Sequence, residues 1–253
     1  MKINLTQNKN FKLFKIISKV AQENNQTVYI VGGYVRDLLM QRKAPTDIDF
    51  VTEQSGIELA KAVGKELGDL KVSVFKTYGT AMIKYHDLDL EFVGARKESY
   101  SEDSRKPAVE TGTLEDDQKR RDFTVNALAI SLNAENFGEL IDPFNGREDM
   151  QNKILRTPLE PAQTYSDDPL RMMRAIRFAS VLHFEIEKNS LEAIKQEAER
   201  IKIVSMERIM VEFNKIMLSE KPSVGLKLME ETTLLEKIIP ELTALRGIEE
   251  VEG

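Results

Sequence analysis

The chain has 253 residues, of which 41% are hydrophobic and 31% are charged, and its formal net charge is −6 at pH 7. This composition excludes a disordered chain and is typical of a globular protein with one large or two modest domains. Without cysteine and with only two histidines, the chain has no disulfide partner and no zinc cluster, so any metal would have oxygen ligands, which favours magnesium.

The first part of the chain alternates between helical and strand patterns, which predicts a mixed α/β layer. Predicted helices cover residues 11–23, 34–40 and 57–67, and predicted strands cover residues 28–31, 48–52, 71–75, 80–85 and 88–93. The turn Ala44-Pro45-Thr46 ends the second helix, and Tyr85-His86-Asp87 joins the last two strands as a hairpin with His86 in solvent.

Residues 94–114 lack apolar periodicity, which predicts a long loop that is functional or mobile. Helical character resumes over residues 119–127, and a further strand is predicted over residues 129–132. From Asp168 onward every strong pattern has the helical period. The chain therefore reads as a mixed layer followed by a helical region.

Two aspartates flank Ile48 at the start of a predicted strand. Because side chains at i and i+2 of a strand share a face, Asp47 and Asp49 point the same way while Ile48 enters the core. Two carboxylates this close repel each other unless a cation lies between them, and a two-metal site suits in-line attack on phosphorus. A solvated aspartate pair at a strand start is common, so the pair alone is weak evidence for a metal site.

Gly32 and Gly33 precede this pair, at the junction of a predicted strand and helix. Without Cβ atoms, the two glycines let backbone amides approach a triphosphate, and the following helix adds positive potential. Arg36 can reach a phosphate oxygen or brace the turn by pairing with an acidic residue. The spacing fits neither the Rossmann nor the Walker pattern, and a simple strand-to-helix turn remains the alternative for each glycine.

Five motifs occur in order over roughly residues 27 to 180: YIVGGYVRD, TDIDF, LEDDQKRRDFTVNALA, IDPFNGREDM and SDDPLRMMRAIRFA. Their sequences and order resemble the class II tRNA nucleotidyltransferase and bacterial poly(A) polymerase family. The resemblance implies an α+β fold, in which a polymerase-β-like nucleotidyltransferase head of mixed sheet and helices precedes an all-α neck and body. It also implies that Asp47 and Asp49 bind catalytic magnesium and that Gly33 and Arg36 lie at the incoming nucleotide.

Pro158 and Pro161 punctuate the chain and predict a domain boundary near residues 156–161. Residues 1–157 are then the nucleotidyltransferase head, and residues 158–253 are the neck and the start of the body, which contact RNA and select the base. Family members usually continue into further helical segments, whereas this chain ends at Gly253, so we expect a C-terminal truncation.

A third acid often completes such a metal site. Glu91 is our candidate because Phe92-Val93-Gly94-Ala95-Arg96 follows it, similar to the strand-then-Arg pattern of the family. Asp89 shares the face of Glu91 and competes with it. The alternative is that both acids face solvent.

Three cations, Lys119, Arg120 and Arg121, lie at the start of a predicted helix, where the helix dipole disfavours positive charge. Such a mismatch indicates a functional site, because contact with phosphate would compensate for it. A surface charge cluster balanced by the acids of residues 115–117 is the alternative. The resemblance to the family implies that Arg121 contacts the nucleotide.

Asp168-Pro169 predicts the N-cap and first turn of a helix. Helical spacing sets Arg171, Arg174 and Arg177 along one face. Met172, Ala175, Ile176, Ala179 and His183 fall on the opposite, apolar face, where His183 is expected as a core residue. An ordinary solvated stripe is the alternative reading of the arginines, although Phe178 and Val181 among them suggest a cleft.

The resemblance implies that this segment is a protein template for the base. Asp168 can accept a hydrogen bond from the exocyclic amino group that cytosine and adenine share, and Arg171 can donate to a neighbouring ring nitrogen or carbonyl. Arg174 and Arg177 are expected near the triphosphate or supporting the pocket. The later methionines at helical spacing, Met206, Met210 and Met217, are predicted to pack in the core.

Together these patterns predict a template-independent RNA nucleotidyltransferase that adds or repairs the 3′-terminal CCA of tRNA from CTP and ATP, with two Mg²⁺ ions. A poly(A) polymerase and a partial CC- or A-adding enzyme share all five motifs and remain alternatives. A nucleotide-binding or RNA-binding module without catalysis is a further alternative, against which the intact aspartate pair argues.

The expected partners are the 3′ end of tRNA, CTP and ATP. The acidic balance argues against bulk electrostatic binding of RNA, so basic contacts should be local. The sequence contains neither a signal peptide nor an apolar run of ~20 residues, which predicts a cytoplasmic protein with no membrane contact.

Overall fold

A computed structural model of the chain describes residues 1–43, 45–101, 104–244 and 247. The chain divides into two compact units, Met1–Glu148 and Asp149–Gly253. The expected boundary after residue 157 stays a prediction. Ala44 of the predicted turn, Glu102 and Asp103 of the predicted loop, and the chain end lie outside the described residues.

Nine strands belong to the first unit. They are β1 (Tyr29–Val31), β2 (Asp47–Thr52), β3 (Val72–Phe75), β4 (Thr80–Tyr85), β5 (Leu88–Gly94), β6 (Arg96–Ser101), β7 (Ser104–Thr111), β8 (Ala129–Ser131) and β9 (Leu140–Ile141). Seven of them form one sheet in the order β3-β4-β5-β2-β1-β8-β9. Only the β2–β5 pair of this sheet is parallel, so the sheet is mixed, as predicted.

The helices of this unit are α1 (Phe11–Glu23), α2 (Gly33–Leu39), α3 (Gly56–Glu66) and α4 (Leu114–Lys119), and the division between the units falls within α5 (Gly146–Asn152). One face of the sheet packs on helices through aromatic rings. Phe50 of β2 stacks on Phe92 of β5 with a centroid distance of 5.0 Å, and Phe14 of α1 meets Phe50 edge-on at 6.4 Å. Because side chains alternate along a strand, the acids of β2 and β5 lie on the other face.

The predicted loop over residues 94–114 is wrong, because β6 and β7 form an antiparallel hairpin there. The two strands pair only with each other, in a separate two-stranded sheet. Their sequences, RKESYS and SRKPAVET, are mostly charged or small, so the hydrophobic alternation that marks a strand is missing although the backbones pair.

The predicted helix over residues 119–127 is also wrong. A capping box at Thr113, with Asp116 as its reciprocal partner, starts α4 at Leu114, and the helix ends at Lys119. Lys119 and the two arginines after it therefore lie at the C-terminal end of a helix, where the helix dipole favours positive charge. The inferred electrostatic mismatch does not exist.

As far as its residues are described, the second unit is helical apart from one two-residue parallel pair, β10 (Ile154–Leu155) with β11 (Glu185–Ile186). Its helices are α6 (Pro161–Asp167), α7 (Leu170–Leu182), α8 (Lys188–Glu197), α9 (Met206–Met217), α10 (Pro222–Glu231), α11 (Leu234–Ile238) and α12 (Pro240–Thr243). The predicted cap is present, because the carboxylate of Asp168 accepts a hydrogen bond from the Leu170 amide at 3.3 Å. No helix within the described ranges combines the length and the hydropathy that crossing a bilayer requires.

Two burial predictions for this unit are wrong. His183 ends α7 in a left-handed conformation, with φ of 58°, and its side chain is exposed rather than part of the core. Met206 and Met217 are 53% and 42% exposed, because α9 turns Ile209 and Ile216 inward instead. His86 is exposed at the hairpin tip, as predicted.

Candidate active site

Four carboxylates lie on one face of the parallel pair β2–β5. In its register, Asp47 is opposite Asp89 and Asp49 is opposite Glu91. Residues paired across neighbouring strands project to the same face, as do residues two apart on one strand. The structure therefore brings together the predicted aspartate pair and both candidates for the third acid.

Asp49 and Glu91 are held in an environment that resists ionisation. Burial raises the pKa of Asp49, and the charges of Asp117 and Asp47 add to this effect while Arg121 opposes it. Burial also raises the pKa of Glu91, with the charge of Asp49 as the second cause. Both carboxyls would be stabilised as carboxylates by a cation placed among them.

Asp89 and Glu91 differ in their partners. The carboxylate of Asp89 forms an ion pair with Lys84 on β4 at 2.9 Å. Glu91, two residues later, interacts electrostatically with Asp49 instead. This difference supports Glu91 as the third acid, because the charge of Asp89 is already balanced at the edge of the face.

Gly32 forms a turn against the aspartate face. Its φ of +76° and ψ of −136° are accessible to glycine and strained for other residues. A Cβ on Gly32 would lie 2.8 Å from Nη1 of Arg121 and 3.6 Å from Oδ2 of Asp49. The Gly32 amide donates to the Leu128 carbonyl at 3.0 Å, so Gly32 admits a guanidinium group while its own N–H is already satisfied.

Arg121 reaches this turn because a buried acid holds it. Asp117 has a side chain that is 0% exposed and forms ion pairs with both Arg120 and Arg121. Burial alone would raise the pKa of Asp117, but the charges of Arg121 and Arg120 outweigh it and the pKa is lowered. Asp117 is therefore a carboxylate that fixes two guanidinium groups.

Arg36 is buried and braced within the first unit. Its Nε donates to the carboxylate of Asp37 at 2.9 Å, and its Nη1 donates to Oδ1 of Asn126 at 2.6 Å. The pairing with Asp37 is the bracing interaction that the sequence suggested as one of two possibilities. The guanidinium group is held at the turn that Gly32 and Gly33 form, and the Cβ of a residue replacing Gly33 would lie 3.6 Å from its Nη2.

The remaining predicted site residues lie in the second unit, with Asp168 just before α7 and the three arginines on it. The carboxylate of Asp168 lies 3.9 Å from Nη2 of Arg208, and Nη1 of Arg171 donates to the Thr164 carbonyl at 3.4 Å. Arg171, Arg174 and Arg177 are all partly exposed, on the face opposite the buried methionines.

Phe178 and Glu212 surround the last arginine of this stripe. The guanidinium carbon of Arg177 lies 3.9 Å from the centroid of the Phe178 ring, and that of Arg174 lies 5.5 Å away. Nε of Arg177 donates to the carboxylate of Glu212, which is itself buried. These contacts tie α7 to α9 through Arg177, and its expected role near the triphosphate or in support of the pocket stays a prediction.

Sequence reasoning missed Asp117 and Asn126 as parts of the site. Asp117 precedes Arg120 and Arg121 by three and four residues, which is the spacing of ion pairs on a helix and could have revealed it. Asn126 lies in the run Phe123-Thr124-Val125-Asn126-Ala127 and has no such signal. Its contacts depend on the folded position of a distant helix.

The donor chemistry of the aspartate face fits a hard divalent cation. All candidate ligands are carboxylate oxygens, and two of them have pKa values raised by burial and by neighbouring negative charge. In the part of the chain that the structure describes, no three acidic or histidine side chains already enclose a metal position. This arrangement suits Mg²⁺, which is usually bound by one or two carboxylates together with substrate phosphates and water.

A cavity of about 570 Å³ lies elsewhere in the first unit, beyond the carboxyl ends of β2 and β5. Its lining includes Ser55, Lys76, Gly94 and Arg96, and none of the predicted site residues.

Two family models match the chain. Residues 28–156 match the poly A polymerase head domain, and residues 183–245 match the probable RNA and SrmB-binding site of polymerase A. The first match alone covers half of the chain. Divalent metal ions are generally used by the family that these models describe.

Named relatives agree with these matches. The chain is 38% identical over 232 residues to an A-adding tRNA nucleotidyltransferase of Aquifex aeolicus, covering 87% of this chain and 28% of that protein. It is 37% identical over 241 residues to a CCA-adding enzyme of Bacillus velezensis, covering 94% of this chain and 57% of that enzyme. The chain thus spans little more than half of one relative and less than a third of the other.

A solved structure has the same fold. The CCA-adding enzyme of Thermotoga maritima, complexed with tRNA, superposes with a TM-score of 0.81 at 31% identity, covering 93% of this chain and 54% of that one. The α+β architecture predicted from the sequence, with a mixed-sheet head followed by helices, is confirmed.

Gly32→Ala should destabilise the first unit by about 2–5 kcal/mol, through backbone strain and displacement of Arg121 from its buried ion pair. Gly79→Ala is the matched control, because Gly79 has φ of +62° and, among the described residues, a Cβ there has no neighbour within 4 Å. It should cost only about 1 kcal/mol. Chemical denaturation measures both, and equal losses would contradict the close approach of Arg121.

Asp49→Asn should raise the unfolding midpoint at neutral pH. Because burial raises the pKa of Asp49, the folded chain retains a proton above the ordinary pKa of 3.8, and stability falls as the pH rises from there towards the folded pKa. Asparagine carries no ionisable proton and avoids this loss. The difference in unfolding midpoint between Asp49→Asn and the parent chain should therefore shrink as the pH falls towards 3.8. Thermal unfolding at several pH values measures it, with the exposed Asp87→Asn as control. A gap that widens in acid would refute the assigned direction.

Proposed function

We propose that this chain, which belongs to the class II tRNA nucleotidyltransferase and bacterial poly(A) polymerase family, is a template-independent nucleotidyltransferase that adds or repairs the 3′-terminal CCA of tRNA from CTP and ATP. The observation that carries the proposal is the placement of the aspartate face directly beside a glycine turn that holds a guanidinium group. A metal-binding surface and a phosphate-binding turn are the two parts that nucleotidyl transfer requires.

Asp47 and Asp49 are proposed to hold Mg²⁺ in a two-ion site, with Glu91 as the third acid. When bound, the ions lower the pKa of the RNA 3′-hydroxyl and stabilise the charge on departing pyrophosphate. The aspartates supply the negative charge that positions the cations, and their strand fixes the spacing between the carboxylates. The 3′-hydroxyl oxygen forms a bond to the α-phosphorus, the bond from the α-phosphorus to the bridging oxygen of pyrophosphate breaks, and the hydroxyl proton passes to solvent. No covalent enzyme intermediate is needed.

The chain's cationic groups are proposed to orient the triphosphate. Arg36 and Arg121 donate to phosphate oxygens, and the Gly33 amide faces the nucleotide next to them. Gly32 contributes by leaving room for Arg121. Since both guanidinium groups are already held by acids or amides before the nucleotide arrives, little side-chain entropy remains to be lost on binding.

Base selection is proposed to rest on α7. Asp168 accepts from the exocyclic amino group of cytosine or adenine, and Arg171 donates to the adjacent ring atom. Uracil and guanine present a carbonyl at that place, which would leave two acceptors facing each other without a proton. Arg174 and Arg177 support this helix, as the contacts of Arg177 with Phe178 and Glu212 suggest.

The cytoplasm is the proposed location, because the proposed substrates, tRNA, CTP and ATP, are found there and the chain lacks cysteine. The relatives named CCA-adding and A-adding differ in the bases they add according to their names. We propose full CCA addition for this chain. The order in which CTP and ATP are incorporated decides between CCA addition and A addition.

The direct test is extension of a tRNA that lacks its three 3′-terminal nucleotides, with each labelled nucleotide in turn. CTP alone should extend the tRNA, ATP should follow only after CTP, and pyrophosphate should be released in step with Mg²⁺-dependent incorporation. Incorporation of ATP alone, or long A tails on generic RNA, would replace the proposal by an A-adding or poly(A)-adding activity.

Replacing either aspartate by alanine should lower incorporation roughly 1,000-fold or more, because the cation would lose its charged ligand. The comparison is Asp87→Ala, an exposed aspartate at the hairpin tip of the same unit. That variant should retain the rate of the parent chain. Unimpaired synthesis by Asp47→Ala and Asp49→Ala would remove the metal site from the mechanism.

Asp168→Asn should relax base selection while keeping the helix cap, since asparagine is an equally good N-cap residue. The new amide can donate to the carbonyl of uracil, so UTP use relative to CTP should rise about 10- to 100-fold. Competitive incorporation from mixed nucleotides measures the ratio. Glu185→Gln, an exposed position of the same unit, serves as control, and equal ratios in both variants would speak against α7 as the template.

A further inference from the structure

Asn126 lies at the centre of a buried polar network that reaches both arginines of the glycine turn. It is 5% exposed and ends a short 3₁₀ turn, Thr124–Asn126. Its Oδ1 accepts a hydrogen bond from Nη1 of Arg36 at 2.6 Å, and its backbone carbonyl accepts a longer one from Nη1 of Arg121 at 3.4 Å. One residue therefore contacts both guanidinium groups.

The orientation of the Asn126 amide follows from its partners. Its Nδ2 donates to Oδ1 of Asp122 at 3.0 Å, and Asp122 also accepts from the Phe123 amide at 2.9 Å. A carboxylate only accepts and a guanidinium only donates, so nitrogen must face Asp122 and oxygen must face Arg36. Asparagine satisfies both partners at once. Aspartate would repel Asp122, and leucine would leave the two charged groups without this bond.

We propose that Asn126 is a positioning residue, which holds Arg36 and Arg121 at a fixed separation so that both guanidinium groups engage one polyphosphate together. Asp37 pairs with Arg36, and Asp117 pairs with Arg121 and Arg120, whereas Asn126 contacts both Arg36 and Arg121. The proposal rests on the proposed function for the identity of the polyphosphate as a nucleoside triphosphate. Preorganised donors bind more tightly than mobile ones, because the cost of ordering them is met on folding.

The test compares the affinities of CTP and CMP for the whole chain without RNA, measured by titration calorimetry. CMP lacks the two outer phosphates, so the ratio of the two affinities reports the polyphosphate contacts. Asn126→Ala should lower the CTP-to-CMP affinity ratio about 10- to 100-fold, because a hydrogen bond to a charged group is lost and Arg36 is no longer linked to Arg121 through Asn126. The affinity for tripolyphosphate, used as a second probe, should fall in the same variant.

A matched control separates positioning from stability. Asn133 is also a buried asparagine of the first unit, whose Oδ1 accepts from the Val28 amide at 2.8 Å and whose Nδ2 donates to Ser131 at 3.0 Å. Asn133→Ala should lower the unfolding midpoint, yet leave the CTP-to-CMP ratio at the parent value. An equal fall of the ratio in both variants would make Asn126 a structural residue only.

A charge-swapped double variant, Asn126→Asp with Asp122→Asn, restores the pair with its donor and acceptor exchanged. The double variant should recover most of the CTP-to-CMP affinity ratio that Asn126→Asp alone loses. If Asn126→Ala does not fold, the comparison of these two variants tests the proposal instead. A folded Asn126→Ala with the parent ratio, or a double variant without recovery, overturns the proposal.

The outcome is separable from that of the proposed function. Loss of the ratio in Asn126→Ala, in a chain that extends no RNA, would support the positioning role and refute the nucleotidyl transfer. Normal RNA extension by the parent chain, together with an unchanged CTP-to-CMP ratio in Asn126→Ala, would support the nucleotidyl transfer and refute the positioning role. A parent chain that binds neither CTP nor tripolyphosphate would overturn both.

Discussion

The site in the first unit depends on the ion pairs that the buried carboxylate of Asp117 makes with Arg120 and Arg121. A buried carboxylate is costly unless it is paired, and here two guanidinium groups lower its pKa despite complete burial. The same pairing carries Arg121 to the backbone of Gly32, where no other residue type would leave room for it. One acid on a short helix thus positions a cation at the edge of an aspartate-lined sheet.

The two faces of that sheet differ in polarity, since one carries aromatic rings and the other carries carboxylates. The aromatic stack of Phe50 and Phe92 makes one face dry and rigid. Across the pleat, Asp49 and Glu91 are pressed together with raised pKa values, an arrangement that costs stability in the absence of a cation. Packing on the aromatic face holds β2 and β5 in place, so the acids on the opposite face stay together despite their repulsion.

Local chemistry made the central features predictable from the sequence. The spacing of Asp47 and Asp49 predicted their common face, and the mixed sheet with a helical second unit followed from periodicity. The side-by-side arrangement of the aspartates and the glycine turn required the pairing of Val31 with Asp49, which periodicity alone does not determine. The ordered motifs of the family supplied that step.

The errors have a common physical origin in tertiary context. The capping box at Thr113 starts α4 before the cations, so Lys119 to Arg121 lie at the end of the helix rather than at its start, and the sequence of the β6–β7 hairpin lacks the hydrophobic alternation that would predict strands. His183 and Met206 follow the helical period of buried residues, yet His183 caps α7 in a left-handed conformation and Met206 is the exposed first residue of α9. Asn126 needed the folded position of Arg36, which no local pattern contains.

The parallel register of β2 on β5 has a genetic consequence. Loss of the codon for Ile48 would reverse the inside and outside of every later position in the strand, so that Asp49 would take the buried place of Ile48 and Phe50 would take a place on the aspartate face. A substitution in this strand changes one side chain, whereas an in-frame deletion shifts the rest of the strand out of register. Proteins that share this head should therefore differ in the residues of β2 that flank the aspartates, but hardly at all in the length of the strand.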